Sequence, residues 1–331
     1  MRVAVIGLGA VGSRAARQLV ASAEVESVVL RDIRAERVAE VAASLGPKAA
    51  PDPQAITAPP DADAVILAGP AGDHAAQAIE LLERDVPVVS VSDAVSDVEA
   101  LLDLGPVAAA RGVSLVIGAG FSPGLTCLLA RHAARDFDRI DEIHVAKVGT
   151  GGPACARQHH HALASAAIDW RDGGWQRRAG GSGRELCWFP DPVGPADCYR
   201  AALPDALLLV NAFPGIERVT ARLAATRRDR LTSRLPMLRP PHPEGDVGAV
   251  RVEVRGQRGG RREVQVLGVM DRPGVAAGAV SAVAAMWAVQ GRLLRSGAGS
   301  LADLVEPVPF LTELATRGVR AAVFEGAGQP A

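Results

Sequence analysis

The sequence predicts an α/β fold: a doubly wound parallel sheet in an N-terminal domain, followed by an α+β domain with a largely antiparallel sheet. Three observations carry this. Through the first third, short, fully apolar runs alternate with helical segments, as parallel strands covered by helices on both faces require. Beyond about residue 140, valine alternates with arginine or glutamate around glycine turns, the pattern of strands with one wet face. With 331 residues, 48% of them hydrophobic, the chain is long and apolar enough for two cores.

The elements follow in order. Val3–Ile6 is an apolar strand and Val11–Ala21 an amphipathic helix with Arg14, Arg17 and Gln18 outward. Val25–Leu30 is a second strand, and Ala35–Leu45 a helix ended by Gly46-Pro47. Pro51, Pro53, Pro59 and Pro60 break the next stretch into turns. Strand Ala64–Leu67, helix His74–Arg84, strand Val86–Val91, a helical segment Val98–Arg111 and strand Ser114–Ile117 complete the alternation. After Gly118–Gly124 a helix runs to about Asp136, with Ser122 read as its cap and Pro123 as its first residue. Ile140–Val148 is a strand. Gly248–Arg255 and Arg262–Met270 form a hairpin around residues 256–260, Ala276–Gln290 is a buried helix, and Leu301–Gly318 is helical.

Lysine plus arginine total 36 against 37 acidic residues, so no bulk field draws nucleic acid or a membrane surface. Nearly all the positive charge is arginine; Lys48 and Lys147 are the only lysines. Four cysteines (Cys127, Cys155, Cys187, Cys198) form no C-x-x-C and no disulfide framework, which places the protein in the cytoplasm by expectation. The apolar opening Val3–Val11 carries the glycines of a turn and lacks a cleavage site. The longest apolar run, Val275–Val289, falls short of the ~20 residues that span a bilayer.

Gly7-Leu-Gly-Ala-Val-Gly12 fits G-x-G-x-x-G between a strand and a helix. The first glycine permits the tight turn, the second admits a pyrophosphate to the backbone, and the third lets the helix pack on the strand. Asp32 stands twenty residues after Gly12, where a carboxylate accepts hydrogen bonds from ribose hydroxyls. This is the Rossmann dinucleotide-binding arrangement. It assigns cofactor contacts to Gly7, Gly9, Ala10, Val11, Gly12, Asp32, Ile33 and Arg34. Asp32 favours NAD; Arg31 and Arg34, flanking it, leave room for the 2′-phosphate of NADP.

Over nearly its full length the chain resembles the saccharopine dehydrogenase-like family, especially its lysine dehydrogenase branch, most specifically in the first third. The resemblance rests on Val3–Gly12 with Asp32, Val88–Asp93, Gly118–Leu125, Trp188–Gly194, Phe213–Gly215 and Leu311–Val319. It implies an NAD(P)-dependent oxidoreductase acting at a C–N bond of an amino acid or an opine-like amine. It also implies a C-terminal segment that folds back on the Rossmann domain, and a homodimer. The expected division is a dinucleotide domain over 1–123, a substrate and dimerisation domain over 124–290, and a returning helical segment over 291–331. Residues 149–161 and 181–187 match no pattern of that family.

Hydride transfer needs a substrate carbon against the nicotinamide and a group that moves the accompanying proton. Three loops lie where the strands of a doubly wound sheet end: Ala68-Gly69-Pro70-Ala71, Ser90–Asp93 and Gly118–Gly124. The first is expected to line the ribose–nicotinamide half, and Gly120 to contact the cofactor. Asp93 either positions a substrate ammonium or caps the next helix. His159-His160-His161 supplies the candidate acid or base, His159 and His160 being chosen. Cys155 shares a helix face with His159 and, with Cys187 or Cys198, forms a weaker zinc alternative; no metal ligand is assigned. Lys147, at a strand end, reads as a solvated lysine ahead of the alternative, a desolvated proton carrier. Two rival functions stand beside the amine oxidoreductase: a non-catalytic NAD(H) sensor, and a reductase of a non-amino-acid substrate such as an enoyl lipid.

Overall fold

The computed structural model describes residues 1–237 and 240–323. The first stretch runs β1 (Arg2–Ile6), α1 (Ala10–Val20), β2 (Ser27–Arg31), α2 (Ala35–Leu45), β3 (Ala49–Pro51), β4 (Ala64–Leu67), α3 (His74–Leu82), β5 (Val88–Ser90), α4 (Val95–Leu102), α5 (Gly105–Ala110) and β6 (Ser114–Val116). Next come α6 (Leu125–Ala134), β7 (Arg139–Val148), α7 (Pro153–Ala164), β8 (Ala166–Arg171), β9 (Gly174–Ala179), β10 (Glu185–Trp188) and β11 (Pro195–Arg200). They are followed by α8 (Asp205–Ala212), β12 (Arg218–Ala224), α9 (Arg227–Thr232), β13 (Gly248–Arg258) and β14 (Arg261–Asp271). The chain then returns through α10 (Pro273–Val289), β15 (Gly297–Gly299), α11 (Leu301–Leu304), α12 (Pro307–Thr316) and β16 (Ala322–Val323).

The first sheet is wholly parallel, in the order β15-β6-β5-β4-β1-β2-β3. Chain direction across it reverses between β1 and β4, so the crevice beyond their carboxyl ends is the place a doubly wound sheet offers a ligand. Residues Val3–Val5 and Ala64–Ile66 are fully buried, as helices on both faces demand. β3 was not expected in a proline-broken stretch. It pairs with β2 at the sheet edge, where Pro51 can be accommodated.

The second sheet has nine strands, along the path β10-β11-β12-β7-β13-β14-β16 with β8 and β9 attached beside β12. One pair, β12 with β7, is parallel; the others are antiparallel. The β13–β14 hairpin is longer than its loop composition suggests. Its strands pair through Arg258 and Arg261, leaving Gly259 and Gly260 as a two-residue turn with φ of 56° and 76°, left-handed values that glycine adopts without strain.

The returning segment joins the two halves. α10, in the stretch expected to belong to the second domain, packs on α1, β4 and β5 of the first. Its Gly278 meets Arg14 and Ala15 so closely that an added Cβ would lie 2.6 Å from the Arg14 Cβ. β15 adds an edge strand beside β6, and α11 and α12 pack on α6. Among the described residues no helix is long and apolar enough to cross a membrane; α10 is apolar on all sides because protein surrounds it.

Candidate active site

The glycine-rich turn has the geometry its spacing predicts. A Cβ on Gly12 would overlap the Gly7 carbonyl oxygen, and one on Gly7 would strike the Gly69 backbone; Gly7 also has φ of 93°. These two glycines let β1, α1 and the loop after β4 approach one another. Gly9 differs, since a Cβ there would meet nothing within 4 Å. It is exposed, it is the N-cap residue of α1, and no side chain caps that helix. The start of α1, the positive end of the helix dipole, is therefore left uncovered at Gly9, a place that could hold a diphosphate. Ala10 and Val11 line the same turn, half-buried.

Asp32 is locked at the end of β2. Its Oδ2 accepts from the Leu8 amide at 2.7 Å and its Oδ1 from the Arg34 amide at 3.0 Å, leaving lone pairs for ribose hydroxyls. Ile33 beside it is 81% exposed, an apolar face at the position where an adenine would lie. Arg34 is exposed. Arg31 does not serve the cofactor: it is 2% exposed, bound to Asp52 at 2.6 Å and to the carbonyls of Ala55 and Ala58. It holds the segment after β3. A third arginine, Arg37, donates to the Leu8 carbonyl at 2.9 Å and went unread in the sequence because its partner is a backbone atom.

The loop after β4 is placed as expected, with Ala68 and Gly69 half-buried against the glycine turn and Pro70 exposed. His74 secures it. The Gly69 carbonyl lies 3.1 Å from Nε2 and the Ser90 hydroxyl 2.8 Å from Nδ1. A carbonyl only accepts, so the neutral ring carries its proton on Nε2 and takes one from Ser90. Burial holds the His74 pKa down, which keeps this tie between the ends of β4 and β5 neutral.

The Gly118–Gly124 turn differs from expectation. All seven residues are buried, α6 starts at Leu125 with Gly124 as N-cap (φ 122°), and Ser122 caps nothing. The Ser122 hydroxyl instead donates to Asp205, whose carboxylate also accepts from Thr126 at 2.6 Å. Gly120 packs against the backbone of Pro123 and Val91; it shapes the turn, and no open helix terminus faces the crevice there.

The second domain completes the site. Gly152, at the start of α7, sits against Ala10 of the glycine turn, and Gly151 against Gly274 of α10. Proline at the first position of α7 then sends the helix past the loop after β5. Cys155 and His159, one helical turn apart, face Asp93 in that loop. The Cys155 Sγ is 3.3 Å from Asp93 Oδ2 and 3.4 Å from His159 Nε2, and His159 Nε2 is 3.7 Å from Asp93 Oδ2. Asp93 therefore caps no helix; Ala94 is the N-cap of α4. Burial pushes the Cys155 thiol up to about 12 and raises the Asp93 carboxyl, while burial and then the charge of Lys147 hold His159 well down. His160 points away from this cluster, its Nε2 2.6 Å from the Leu235 carbonyl, because neighbouring residues on a helix face different directions. Cys187 and Cys198 lie in a separate small core on β10 and β11, and do not join Cys155.

Lys147 is the residue whose sequence reading fails most plainly. It is 3% exposed, and its Nζ donates to the Ser122 carbonyl at 2.9 Å. Its charge acts on Asp93, Asp205, Cys155 and His159 alike. A signal was present: a chain with 36 basic residues and only two lysines spends one of them here. Lysine can be deprotonated where arginine cannot.

Residues 1–118 match an oxidoreductase family with an NAD-binding Rossmann fold. The first domain of this chain is thus an NAD-binding Rossmann fold, as its turn geometry indicates. Over 118 residues it is 36% identical to an inositol 2-dehydrogenase of Mycolicibacterium smegmatis, a match covering 35% of this chain and 34% of that protein. A second inositol 2-dehydrogenase, from Mycolicibacterium gilvum, is 32% identical over the same length. The matched region spans about a third of these curated relatives. Among solved structures, the apo saccharopine dehydrogenase (L-Glu forming) of Saccharomyces cerevisiae superposes with a TM-score of 0.72 at 16% identity, covering 97% of this chain and 99% of that one. DAP dehydrogenase of C. glutamicum, in complex with DAP, superposes at 0.50 and 16% identity over 96% and 98% of the two chains. These likenesses establish a shared fold across both domains.

Proposed function

We propose that the chain is an NAD(P)-dependent oxidoreductase acting at a C–N bond of an amino acid or an amino-acid-derived, opine-like amine. The observation that carries the reading is the meeting of Asp93, from the first domain, with Cys155 and His159, from the second. They meet beside the buried Lys147 and on the helix that starts against the glycine turn. Structures of similar fold named for saccharopine and for DAP support an amino-acid substrate.

When bound, the nicotinamide ring supplies the hydride acceptor or donor. The chain's own residues divide the remaining work. Amides of Gly9, Ala10, Val11 and Gly12 hold the diphosphate, and Asp32 grips the adjoining ribose. Asp93 and His159 orient the substrate at the polar end of α7, and Lys147 exchanges the proton. The burial of His159 and Lys147 keeps bulk water from competing for that proton. In the division proposed here, residues 1–123 with the returning 273–316 bind the nucleotide, and residues 124–272 shape the substrate side.

The match to inositol 2-dehydrogenases over the nucleotide domain favours one second reading, oxidation of a secondary alcohol. A panel of amino acids, secondary amines and polyols offered with NAD and with NADP separates the two. Amine-dependent NADH or NADPH formation supports the proposal, and turnover confined to polyols replaces it with the alcohol reading. Nucleotide binding with no turnover leaves the sensor. Replacing Lys147 by Gln keeps a donor for the Ser122 carbonyl while removing the titratable amine. We expect kcat to fall by about 10²–10⁴ with NADH affinity unchanged; unchanged kcat removes Lys147 from the chemistry.

A further inference from the structure

We propose that Asp93, Cys155 and His159 form a binding site for one divalent transition-metal ion, zinc by the chemistry of its ligands, with a fourth position open to substrate. The proposal deepens the oxidoreductase reading of this same site, but its geometry does not depend on the coenzyme. Among the described residues this is the one group of three histidine, cysteine or acidic side chains whose ligand atoms all lie within 4.8 Å of one another.

The distances suit a metal of this size. Zinc binds sulfur at about 2.3 Å and imidazole nitrogen or carboxylate oxygen at about 2.0–2.2 Å. The edges of a tetrahedron with those arms are then about 3.3–3.6 Å. The observed separations are 3.3 Å between Cys155 Sγ and Asp93 Oδ2, 3.4 Å between Cys155 Sγ and His159 Nε2, and 3.7 Å between His159 Nε2 and Asp93 Oδ2. The nitrogen–oxygen separation is the widest of the three, about 0.4 Å beyond its ideal edge, so the three ligand atoms stand near the corners of one tetrahedral face. A thiolate with an imidazole selects zinc over magnesium or calcium, which prefer oxygen alone.

Charge and placement agree. A thiolate and a carboxylate neutralise a dication, so the loaded site has no net charge to repel the ammonium of Lys147, which is tied to the Ser122 carbonyl. Cys155 and His159 project from one face of α7 at i and i+4, the spacing with which a helix presents two ligands to one ion. Asp93 comes from the other domain, so the ion would also pin α7 to the loop after β5. Three protein ligands with one vacant position is the pattern of a catalytic zinc; structural zinc takes four. The open position suits the neutral amine nitrogen or hydroxyl oxygen on the carbon that exchanges hydride.

The test uses the purified full chain, stripped with a chelator and reloaded with zinc or cobalt(II). We expect one ion per chain by elemental analysis, and with cobalt a sulfur-to-cobalt charge-transfer band together with the intense visible bands of four-coordinate cobalt. Cys155→Ser should abolish the charge-transfer band. His159→Asn and Asp93→Asn should weaken zinc affinity by more than about 100-fold, beyond the loss seen when only the supports of a ligand are removed. Cys187→Ser should change nothing, and melting curves report whether each variant folds. Absence of stoichiometric metal in the reloaded wild type overturns the proposal, as does metal binding that survives Cys155→Ser and His159→Asn together. NADH titrated into the same samples keeps the two claims apart: nucleotide binding without metal overturns only the metal site, and metal without nucleotide overturns only the oxidoreductase reading.

Discussion

Gly7, Gly9 and Gly12 show how far single residues could be read in advance. Their roles depend on a few neighbours within one strand–turn–helix, so spacing alone separates the two glycines that permit packing from the one that leaves a cradle open. The placement of Asp32 just after β2 is legible for the same reason. Lys147 and Arg31 are not, because burial of a charged side chain is decided by partners distant in sequence: Ser122 for the lysine, Asp52 and the carbonyls after it for the arginine. Asp303 is another such residue. Burial raises its pKa to about 6 from 3.8, only partly offset by Arg295, 3.6 Å away, and by Arg131. A carboxyl whose folded pKa lies above its unfolded value favours the fold while protonated. Its contribution is complete below about pH 4 and is lost as pH rises through 6, a penalty of up to about 3 kcal/mol. Asp303→Asn should therefore match the wild type in urea unfolding at pH 4 and exceed it by about 1–3 kcal/mol at pH 8. Equal stability at both pH values would mean that Asp303 ionises in the fold as freely as in the unfolded chain.

Among the elements, those of the first third were largely legible because parallel strands buried on both faces write themselves as unbroken apolar runs. α2 and β4 have the bounds their patterns suggest. The triple histidine shows the limit. Its helix was foreseeable, but which imidazole faces the crevice depends on how α7 is rotated, and that is fixed by Gly152 against Ala10 in the other domain. The turn before α6 misled because Ser-Pro-Gly is a common way to open a helix, whereas here Asp205 captures the serine. At the α1–α10 crossing, Gly278 gives a further expectation. Alanine is favoured over glycine by about 1 kcal/mol within a helix, but its methyl group would press on Arg14 and the Ala15 amide nitrogen at 2.6–2.7 Å. Forcing atoms into a packed interface costs about 1–3 kcal/mol. Gly278→Ala should lower the unfolding free energy by up to about 2 kcal/mol; a rise in stability would show that the two helices can separate without cost.

Considered whole, the molecule brings a parallel sheet and a mixed sheet together so that the loop after β5 and the start of α7 meet. That assembly is the least legible part of the sequence. It depends on α10 lying along α1 and on β15 adding to the first sheet, contacts made by residues far apart along the chain. The Asp93–Cys155–His159 cluster follows from it, which explains why the sequence paired Cys155 with other cysteines in place of Asp93. Everything functional rests on the first domain holding a dinucleotide over Gly9. The most direct measurement is calorimetric titration of NADH and NADPH into wild type and Gly9→Ala, with melting curves of both proteins. A methyl group at Gly9 meets no protein atom within 4 Å, so the variant should melt with the wild type yet lose at least about tenfold in affinity, roughly 1.4 kcal/mol of binding free energy. A wild type that binds neither nucleotide, or a variant that binds as well as the wild type, would contradict the account.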